Sequence, residues 1–189
     1  MSKRFHFEGA AHIYGDNVDT DVIIPARYLT VSDPEELAEH CLEDLDPDFA
    51  SRVRVGDLIV AGRNFGSGSS REHAALAIKG AGVACVVADS FARIFYRNAI
   101  NVGLPIVECA GAAVDAESGD TVVVDLDEGT VENMTRGTRY EATPLPEFMQ
   151  DILRAGGLMP WVKRSLGEGG TVTVGVAEGE PDQADWRLD

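Results

Sequence analysis

The chain has 189 residues, of which 44% are hydrophobic and 25% charged, a composition typical of one globular domain with a substantial core. Its 16 lysines and arginines stand against 32 aspartates and glutamates, which gives a formal net charge of −16. This charge argues against nucleic acid or an anionic membrane as the main partner. A small anionic substrate is still compatible, because a local cluster of arginine and amide donors can override the overall field.

The three cysteines predict neither a disulfide framework nor a metal site. Cys41, Cys85 and Cys109 are far apart, odd in number and without a C-x-x-C pair. Cys85 and Cys109 lie in apolar runs, so we expect both to be small core residues. The first residues lack the pattern of a signal peptide, and no apolar run approaches transmembrane length. We therefore expect a cytoplasmic protein with no metal ligands of its own.

The N-terminal part predicts a strand, an acidic loop and the start of a helix. Residues 5–14 alternate apolar and polar side chains, as in a strand, and residues 15–21 are rich in acidic and turn residues. Residues 22–25 form a short buried segment that ends at a proline. Residues 32–36 have the chemistry of a helix start, with a proline in the first turn followed by acids. Its buried face would carry Leu37, Cys41 and Leu45.

The centre of the chain alternates between strands and helices. This pattern predicts an α/β fold with a central βαβαβ unit, in which parallel strands are joined by right-handed crossovers. The predicted strands are residues 57–61, 83–88 and 104–107, and the predicted helices are residues 70–79 and 90–101, the second ending at Gly103.

The pattern changes after residue 120. Residues 121–126 and 129–132 predict an antiparallel hairpin, and residues 146–165 predict a final helix that is interrupted at Gly156 and Gly157. We expect one domain over residues 1–166. Residues 167–189 are rich in glycine and acids, so we expect a flexible tail there.

Residues 62–75, GRNFGSGSSREHAA, are the most informative stretch. They follow an apolar strand and lead into an alanine-rich helix. The turn therefore places glycine backbone, two hydroxyls and an arginine around the positive end of a helix, an arrangement that favours anions. The first hypothesis is purely structural: Ser69 and Glu72 match the S-x-x-E capping box, with Ser69 as the N-cap. A cap requires neither the second serine nor the arginine.

A second hypothesis is a dinucleotide site. Gly66 and Gly68 fit a G-x-G-x-x-G fingerprint, and Asp89 ends the next strand about 20 residues later, where a ribose-binding acid is expected. Arg71 occupies the third glycine position, however, and is too large for the close packing that this glycine permits. A P-loop is excluded more plainly, because the Gly-Lys-Ser/Thr sequence is missing.

The third hypothesis is a catalytic turn that handles a carboxylate. The planar guanidinium of Arg71 can hold a carboxylate in two places, and Ser70 with free helix-start amides can hold further oxygens. Ser69 would lie where a negative oxygen is stabilised, so it can act as a base toward carbon next to a carboxylate. No Ser/His/Asp arrangement or G-x-S-x-G elbow is present, which favours proton abstraction over acyl transfer. His73 has either a chemical role or an ordinary hydrogen bond in the core.

Three segments carry a resemblance to a known family. Residues 66–74, GSGSSREHA, resemble the signature of the swivelling domain of aconitase-type hydro-lyases. Residues 16–29, DNVDTDVIIPARYL, and residues 88–99, ADSFARIFYRNA, resemble the isopropylmalate dehydratase small-subunit family, and NVGLP at residues 101–105 continues the match. The resemblance covers about residues 5–165 and implies the family's swivelling β/β/α three-layer domain.

This resemblance implies a reaction and a partner. Family members isomerise 2-isopropylmalate to 3-isopropylmalate in leucine biosynthesis by dehydration and rehydration, with a four-iron four-sulfur cluster on a separate large subunit. By position, Ser69 would remove the proton, and Ser70 with Arg71 would hold a substrate carboxylate. The chain would then bind no cofactor itself and would be inactive without the large subunit, in a heterodimer or heterotetramer.

Further site residues follow from the same alignment. Asp19, Thr20 and Asp21 match the family's first active-site loop, and we expect Asp21 above all to orient the catalytic groups. An acidic turn whose side chains cap backbone amides is an equal alternative. Arg27 is a candidate second contact to a carboxylate.

Thr30 and Val31 occupy the segment where family members are thought to differ in substrate choice. Their small, apolar character favours an isopropyl or methyl group over the second carboxylate of homoaconitate. Small subunits of homoaconitase or of citraconate, methylmalate or dimethylmalate dehydratases remain alternatives. A non-catalytic carboxylate-binding domain is an alternative of a different class. Ser67 departs from the family pattern, in which many relatives carry cysteine.

Overall fold

The computed structural model describes residues 5–167, which form a mixed α/β fold. The strands are β1 (His6–Tyr14), β2 (Leu58–Ala61), β3 (Cys85–Ala88), β4 (Ile106–Glu108), β5 (Thr121–Asp125), β6 (Thr130–Asn133) and β7 (Thr138–Glu141). The helices are α1 (Thr20–Ile23), α2 (Pro34–Ala38), α3 (Phe49–Arg52), α4 (Glu72–Gly80), α5 (Arg93–Val102), α6 (Glu147–Arg154) and α7 (Leu158–Gly167), with a 3-10 turn at Ala26–Tyr28. The predicted tail after Gly167 lies outside the described residues.

Strand β1 joins the two halves of a seven-stranded sheet with the order β4-β3-β2-β1-β5-β6-β7. Residues 11–14 of β1 pair in parallel with β2, whereas residues 6–10 pair antiparallel with β5. Strands β1 and β2 therefore end at the same edge of the sheet. The loops that follow them meet there, which is where open α/β sheets commonly bind ligands.

The predicted βαβαβ unit is confirmed. Strands β2, β3 and β4 are parallel neighbours, and helices α4 and α5 form the crossovers between them. Every residue of β2 and β3 is buried, as expected for parallel strands covered on both faces. Helix α5 ends at Gly103 in the left-handed conformation, with a φ of 77°. The predicted stop at this glycine is therefore correct, because glycine adopts that conformation without a steric cost.

The helix predicted to start at residues 32–36 is shorter than expected. Helix α2 begins with Pro34 as expected, but it ends at Ala38, and Leu45 is 46% exposed rather than buried. Leu37 and Cys41 are fully buried. The physical reason lies at Leu42, which adopts a φ of 61° and is itself fully buried. A left-handed residue interrupts the helical repeat that would have placed Leu45 on the buried face.

The C-terminal half follows the predicted hairpin and adds one strand. Strands β5 and β6 pair antiparallel as predicted, and β7 then extends the sheet along the other side of β6. The final helix is divided into α6 and α7 at the predicted glycines, which have φ values of 91° at Gly156 and 130° at Gly157. A Cβ atom at Gly157 would lie 2.7 Å from the Asn101 carbonyl oxygen, so the close approach also requires glycine.

Asp120 is the centre of a hydrogen-bond network in the antiparallel half of the sheet. Its Oδ2 accepts hydrogen bonds from Asn133 Nδ2 and Arg136 Nε, both at 2.8 Å. The amide of Asn133, the backbone N–H of Glu117 and the Arg136 guanidinium together lower the pKa of Asp120 from 3.8 to about 2. A lowered carboxyl pKa contributes stability above about pH 4, and this stability is lost as the pH falls toward about 2.

We therefore expect Asp120→Asn to lower the urea midpoint at about pH 6, and the difference from the parent chain to shrink as the pH falls from about 4 to about 2. Urea titrations monitored by far-ultraviolet circular dichroism at four pH values measure this. A midpoint difference that is constant with pH would contradict the proposed role of the carboxylate.

Candidate active site

The glycine-serine-arginine turn lies at the sheet edge where β1 and β2 end. Backbone hydrogen bonds join it to the loop after β1: the Gly66 N–H donates to the Val18 carbonyl at 2.8 Å, and the Thr20 N–H donates to the Ser67 carbonyl at 2.7 Å. Asp19 and Ser67 form a parallel β-bridge between these bonds. Two segments almost fifty residues apart in sequence therefore form one structural unit.

Two glycines allow this close packing. Gly66 has a φ of 77°, and a Cβ atom there would lie 2.2 Å from Phe95 Cγ of helix α5. Gly68 has a φ of 97°, and its Cβ would lie 2.8 Å from Asp19 Oδ2. Both the left-handed backbone and the available space therefore exclude a side chain.

We expect Gly66→Ala to destabilise the chain by at least about 2 kcal/mol, because strain at positive φ adds to a clash with a buried ring. Thermal unfolding followed by circular dichroism measures the effect. Gly137→Ala is the matched control, since Gly137 has a φ of 70° but no atom within 4 Å of the added Cβ. A Gly66→Ala variant no less stable than the Gly137→Ala variant would show that the clash is relieved at little cost.

The capping-box hypothesis was wrong. Helix α4 begins at Glu72, its N-cap residue is Arg71, and no side chain makes the cap hydrogen bond. Ser69 and Ser70 are exposed, and within residues 5–167 neither hydroxyl nor backbone N–H of these two serines has a hydrogen-bond partner. The turn therefore presents two hydroxyls and free amides at the positive end of a nine-residue helix.

Arg71 is held beneath the turn by the loop after β1. Its side chain is only 13% exposed, and its Nη1 forms an ion pair with Asp21 Oδ1. The same nitrogen donates to the Ile24 carbonyl at 3.4 Å. Since both contacts use Nη1, the other guanidinium nitrogens keep donors for a carboxylate.

The structure brings all three predicted residues of the first loop to this turn. Asp19 caps helix α1 by accepting from the Asp21 N–H at 2.5 Å, which is the amide-capping alternative considered for the acidic loop. The buried Thr20 hydroxyl donates to the Ser69 carbonyl at 3.1 Å. Asp21 pairs with Arg71. Thr20 and Asp21 thus fix the positions of Ser69 and Arg71, respectively.

Four other predicted residues are not joined to the turn in this way. Arg27 forms ion pairs with Glu43 and Asp44, and these carboxylates, Asp44 first, raise its pKa. Thr30 is exposed and Val31 is half-buried against the core after the 3-10 turn. His73 is half-buried in the first turn of α4 and has no hydrogen-bond partner among the described residues.

The structure argues against the dinucleotide hypothesis, because the expected ribose-binding acid, Asp89, is engaged elsewhere. Asp89 Oδ1 accepts from the Gly111 N–H at 3.0 Å, so this carboxylate serves the loop after β4. Arg71 takes the third glycine position and is paired with Asp21. Both features differ from the fingerprint that binds a pyrophosphate.

The cysteines do not fit an iron-sulfur cluster. All three are buried in separate parts of the fold, and burial raises the pKa of each thiol, that of Cys109 to about 11. Within residues 5–167, no three histidine, cysteine or acidic side chains lie close enough to hold a metal ion. None of the helices described is long and apolar enough to cross a membrane.

The sequence analysis missed a pocket of about 260 Å³ beside Ser70. It is lined by Ser70 and by one face of helix α5. The sequence feature that could have revealed this pocket is the set of polar residues at positions 97, 98 and 101, because residues three and four apart share a helix face. The remaining lining residues are Ile94, Arg97, Asn98 and Asn101.

The mixed sheet, with a serine-arginine turn at the edge where β1 and β2 end, together with the comparisons that follow, places the chain in the swivelling-domain class of aconitase-type hydro-lyases. The family model of the aconitase C-terminal domain matches residues 39–110. A crystal structure of a 3-isopropylmalate dehydratase from Methanocaldococcus jannaschii has a TM-score of 0.82 and 45% identity, and the match covers 87% of this chain and 98% of that one. The predicted swivelling fold is therefore confirmed.

Curated relatives define the family more narrowly. The 3-isopropylmalate dehydratase small subunit of Caldicellulosiruptor bescii is 64% identical over 85% of this chain and 96% of its own length. The 2,3-dimethylmalate dehydratase small subunit of Eubacterium barkeri is 59% identical over 82% of this chain and 95% of its own length. The chain belongs to the family of 3-isopropylmalate dehydratase small subunits, as its motifs predicted.

Proposed function

We propose that the chain is the small subunit of a 3-isopropylmalate dehydratase, which interconverts 2- and 3-isopropylmalate by dehydration and rehydration in leucine biosynthesis. The observation that carries this proposal is the turn itself. A free Ser69 hydroxyl lies just before helix α4, two residues before an arginine that is largely shielded from solvent and oriented by Asp21. Removal of a proton next to a substrate carboxylate requires a base and a group that holds that carboxylate, close to each other.

In the proposed mechanism, Ser69 removes a proton from the carbon next to a substrate carboxylate. Its alkoxide is stabilised by the free amides and by the positive end of α4. Ser70 and Arg71 hold the carboxylate while the neighbouring carbon loses its hydroxyl and a C=C bond forms. When water adds back in the opposite sense, its hydroxide bonds to the carbon that lost the proton, and Ser69 donates a proton, exchangeable with solvent, to the neighbouring carbon. The four-iron four-sulfur cluster, carried by the large subunit, supplies Lewis acidity toward the substrate hydroxyl.

The substrate side chain is proposed to lie against Thr30 and Val31. Both are small, and the half-buried Val31 packs on the core, so this segment suits a branched alkyl group. A second candidate is 2,3-dimethylmalate, because the Eubacterium barkeri relative acts on it by name and is almost as similar as the isopropylmalate relatives. Both substrates present methyl groups to such a wall.

The proposal requires a cluster-bearing large subunit as partner, in a heterodimer or heterotetramer, and places the assembly in the cytoplasm. The chain alone would be inactive, because its buried cysteines are unsuited to hold the cluster. The proton-removing and cluster-binding halves of the site would meet only when the subunits associate.

Anaerobic reconstitution tests this function. The chain is mixed with the large subunit from the same source, and the unsaturated intermediate is followed by ultraviolet absorbance with isopropylmalate, dimethylmalate, citraconate-type and homoaconitate-type substrates. Each subunit alone is the control. We expect turnover only in the mixture and the highest kcat/KM with isopropylmalate. A complex with an intact cluster that turns over none of these substrates would contradict the proposal.

A further inference from the structure

The pocket beside Ser70 is built from a single face of helix α5. Arg97 and Asn98 lie four and three residues before Asn101, the spacings that place side chains on one side of a helix. Ile94, one turn earlier, closes the pocket, which has a volume of about 260 Å³. Ser70, whose hydroxyl has no partner in the described part of the chain, is also a lining residue.

The charge of this pocket is opposite to that of the chain. No aspartate or glutamate lines it, although the chain has 32 of them. Arg97 is exposed and forms no ion pair with another residue between 5 and 167. By contrast, the pocket of about 540 Å³ on the antiparallel half of the sheet is lined by four carboxylates: Glu8, Asp125, Glu128 and Glu132. The pocket beside Ser70 therefore suits an anion better than this acidic pocket does.

Asn98 supplies the second, independent observation. Its amide nitrogen Nδ2 is buried and has no hydrogen-bond partner in residues 5–167. A buried donor without an acceptor is costly, and native proteins rarely leave one. The χ2 torsion of asparagine is soft, so the amide can turn to meet an acceptor in the pocket that it lines. An acceptor bound in the pocket would satisfy this donor.

We propose that Ser70, Arg97, Asn98 and Asn101 form a carboxylate subsite that extends the grip of Arg71 on the small dicarboxylate. The assignment rests on the proposed function. Because Asp21 occupies Nη1 of Arg71, that guanidinium does not offer its full set of donors. Ser70 belongs to the turn and also lines the pocket, so a carboxylate bound at Ser70 would lie next to the donors on α5. Arg97 and Asn98 then complete its coordination.

The first test needs no partner subunit and no turnover. The full chain, labelled with 15N, is titrated with malonate while the side-chain amide resonances of Asn98 and Asn101 are followed by NMR. We expect both to shift, and Arg97→Ala to weaken the binding at least about fivefold. Arg54→Ala is the control: Arg54 is exposed, lacks an ion-pair partner among the residues described, and lies before β2, at the other end of that strand from the turn. Unmoved amide resonances at saturating malonate would overturn the subsite.

The second test uses the reconstituted enzyme. We expect Arg97→Ala and the near-isosteric Asn98→Asp each to raise KM about tenfold with kcat within about threefold, and Arg54→Ala to leave both constants unchanged. An unchanged KM with both pocket variants would overturn the subsite while leaving the proposed reaction intact. Weakened association of the subunits with an unchanged KM would also overturn it, by assigning the pocket to a side chain of the partner. If malonate shifts the amide resonances but the enzyme reconstituted with an intact cluster shows no turnover, the subsite is supported and the proposed function is contradicted.

Discussion

Replacing Ser69 by alanine should lower kcat of the reconstituted enzyme by at least about a thousandfold and leave KM within about threefold, because it removes the proposed base alone. Ser69 is exposed, and only its carbonyl is engaged, by the Thr20 hydroxyl at 3.1 Å. Alanine keeps that carbonyl, so the thermal midpoint should change by less than about 2 °C.

Two measurements separate a lost base from a damaged assembly. The first is exchange of the substrate's carbon-bound proton with D2O, which Ser69→Ala should abolish together with turnover. The second is the same assay on Ser67→Ala, a serine of the same turn whose carbonyl, rather than its side chain, contacts Thr20. This control should remain active. Proton exchange at more than about a tenth of the parent rate in Ser69→Ala would remove Ser69 as the base.

The fold was predictable wherever a local signal and the tertiary structure agree. The alternation of apolar strands and helices fixed the βαβαβ unit, and the stop at Gly103 is a property of one residue's backbone. The error at Leu45 has the opposite origin. Leu42 is fully buried with a φ of 61°, and because leucine rarely adopts positive φ, the sequence shows no local sign of this conformation. Strand β7 was missed for a similar reason, since its residues are half-buried or exposed and its pairing with β6 defines it.

In the candidate site, too, features with a local sequence signal were predictable, and features set by tertiary contacts were not. The serines and the arginine are contiguous, so their motif was legible, whereas the pairing of Asp21 with Arg71 depends on the parallel alignment of β1 and β2. Sequence placed Asp21 near the catalytic groups only through the family resemblance. It also offered Arg27 as a carboxylate contact, and in the structure Glu43 and Asp44 already occupy that guanidinium. Which arginines are free to bind an anion is decided by neighbours distant in the chain.

Arg71→Lys should reduce kcat/KM about 10- to 100-fold, chiefly through KM, although the charge is kept. Arginine offers a planar fork, and at this site Nη1 is already committed to Asp21 and the Ile24 carbonyl. A lysine ammonium has one nitrogen for all of these partners, so it cannot satisfy Asp21 and hold a carboxylate in two places. Steady-state kinetics of the reconstituted enzyme measure the loss.

Arg63→Lys is the matched control for this argument. Arg63 precedes the same turn, is 74% exposed and pairs with Asp16 at 2.7 Å, so a lysine there retains an exposed ion pair and should leave kcat/KM within about twofold. If Arg71→Lys were equally mild, a single charge would suffice for the substrate and the bidentate grip would be refuted. If both Arg71→Lys and Asp21→Asn raise KM, the carboxylate of Asp21 acts by holding the guanidinium in place. The buried position of Arg71 would then be part of the binding site itself, prepared before substrate arrives.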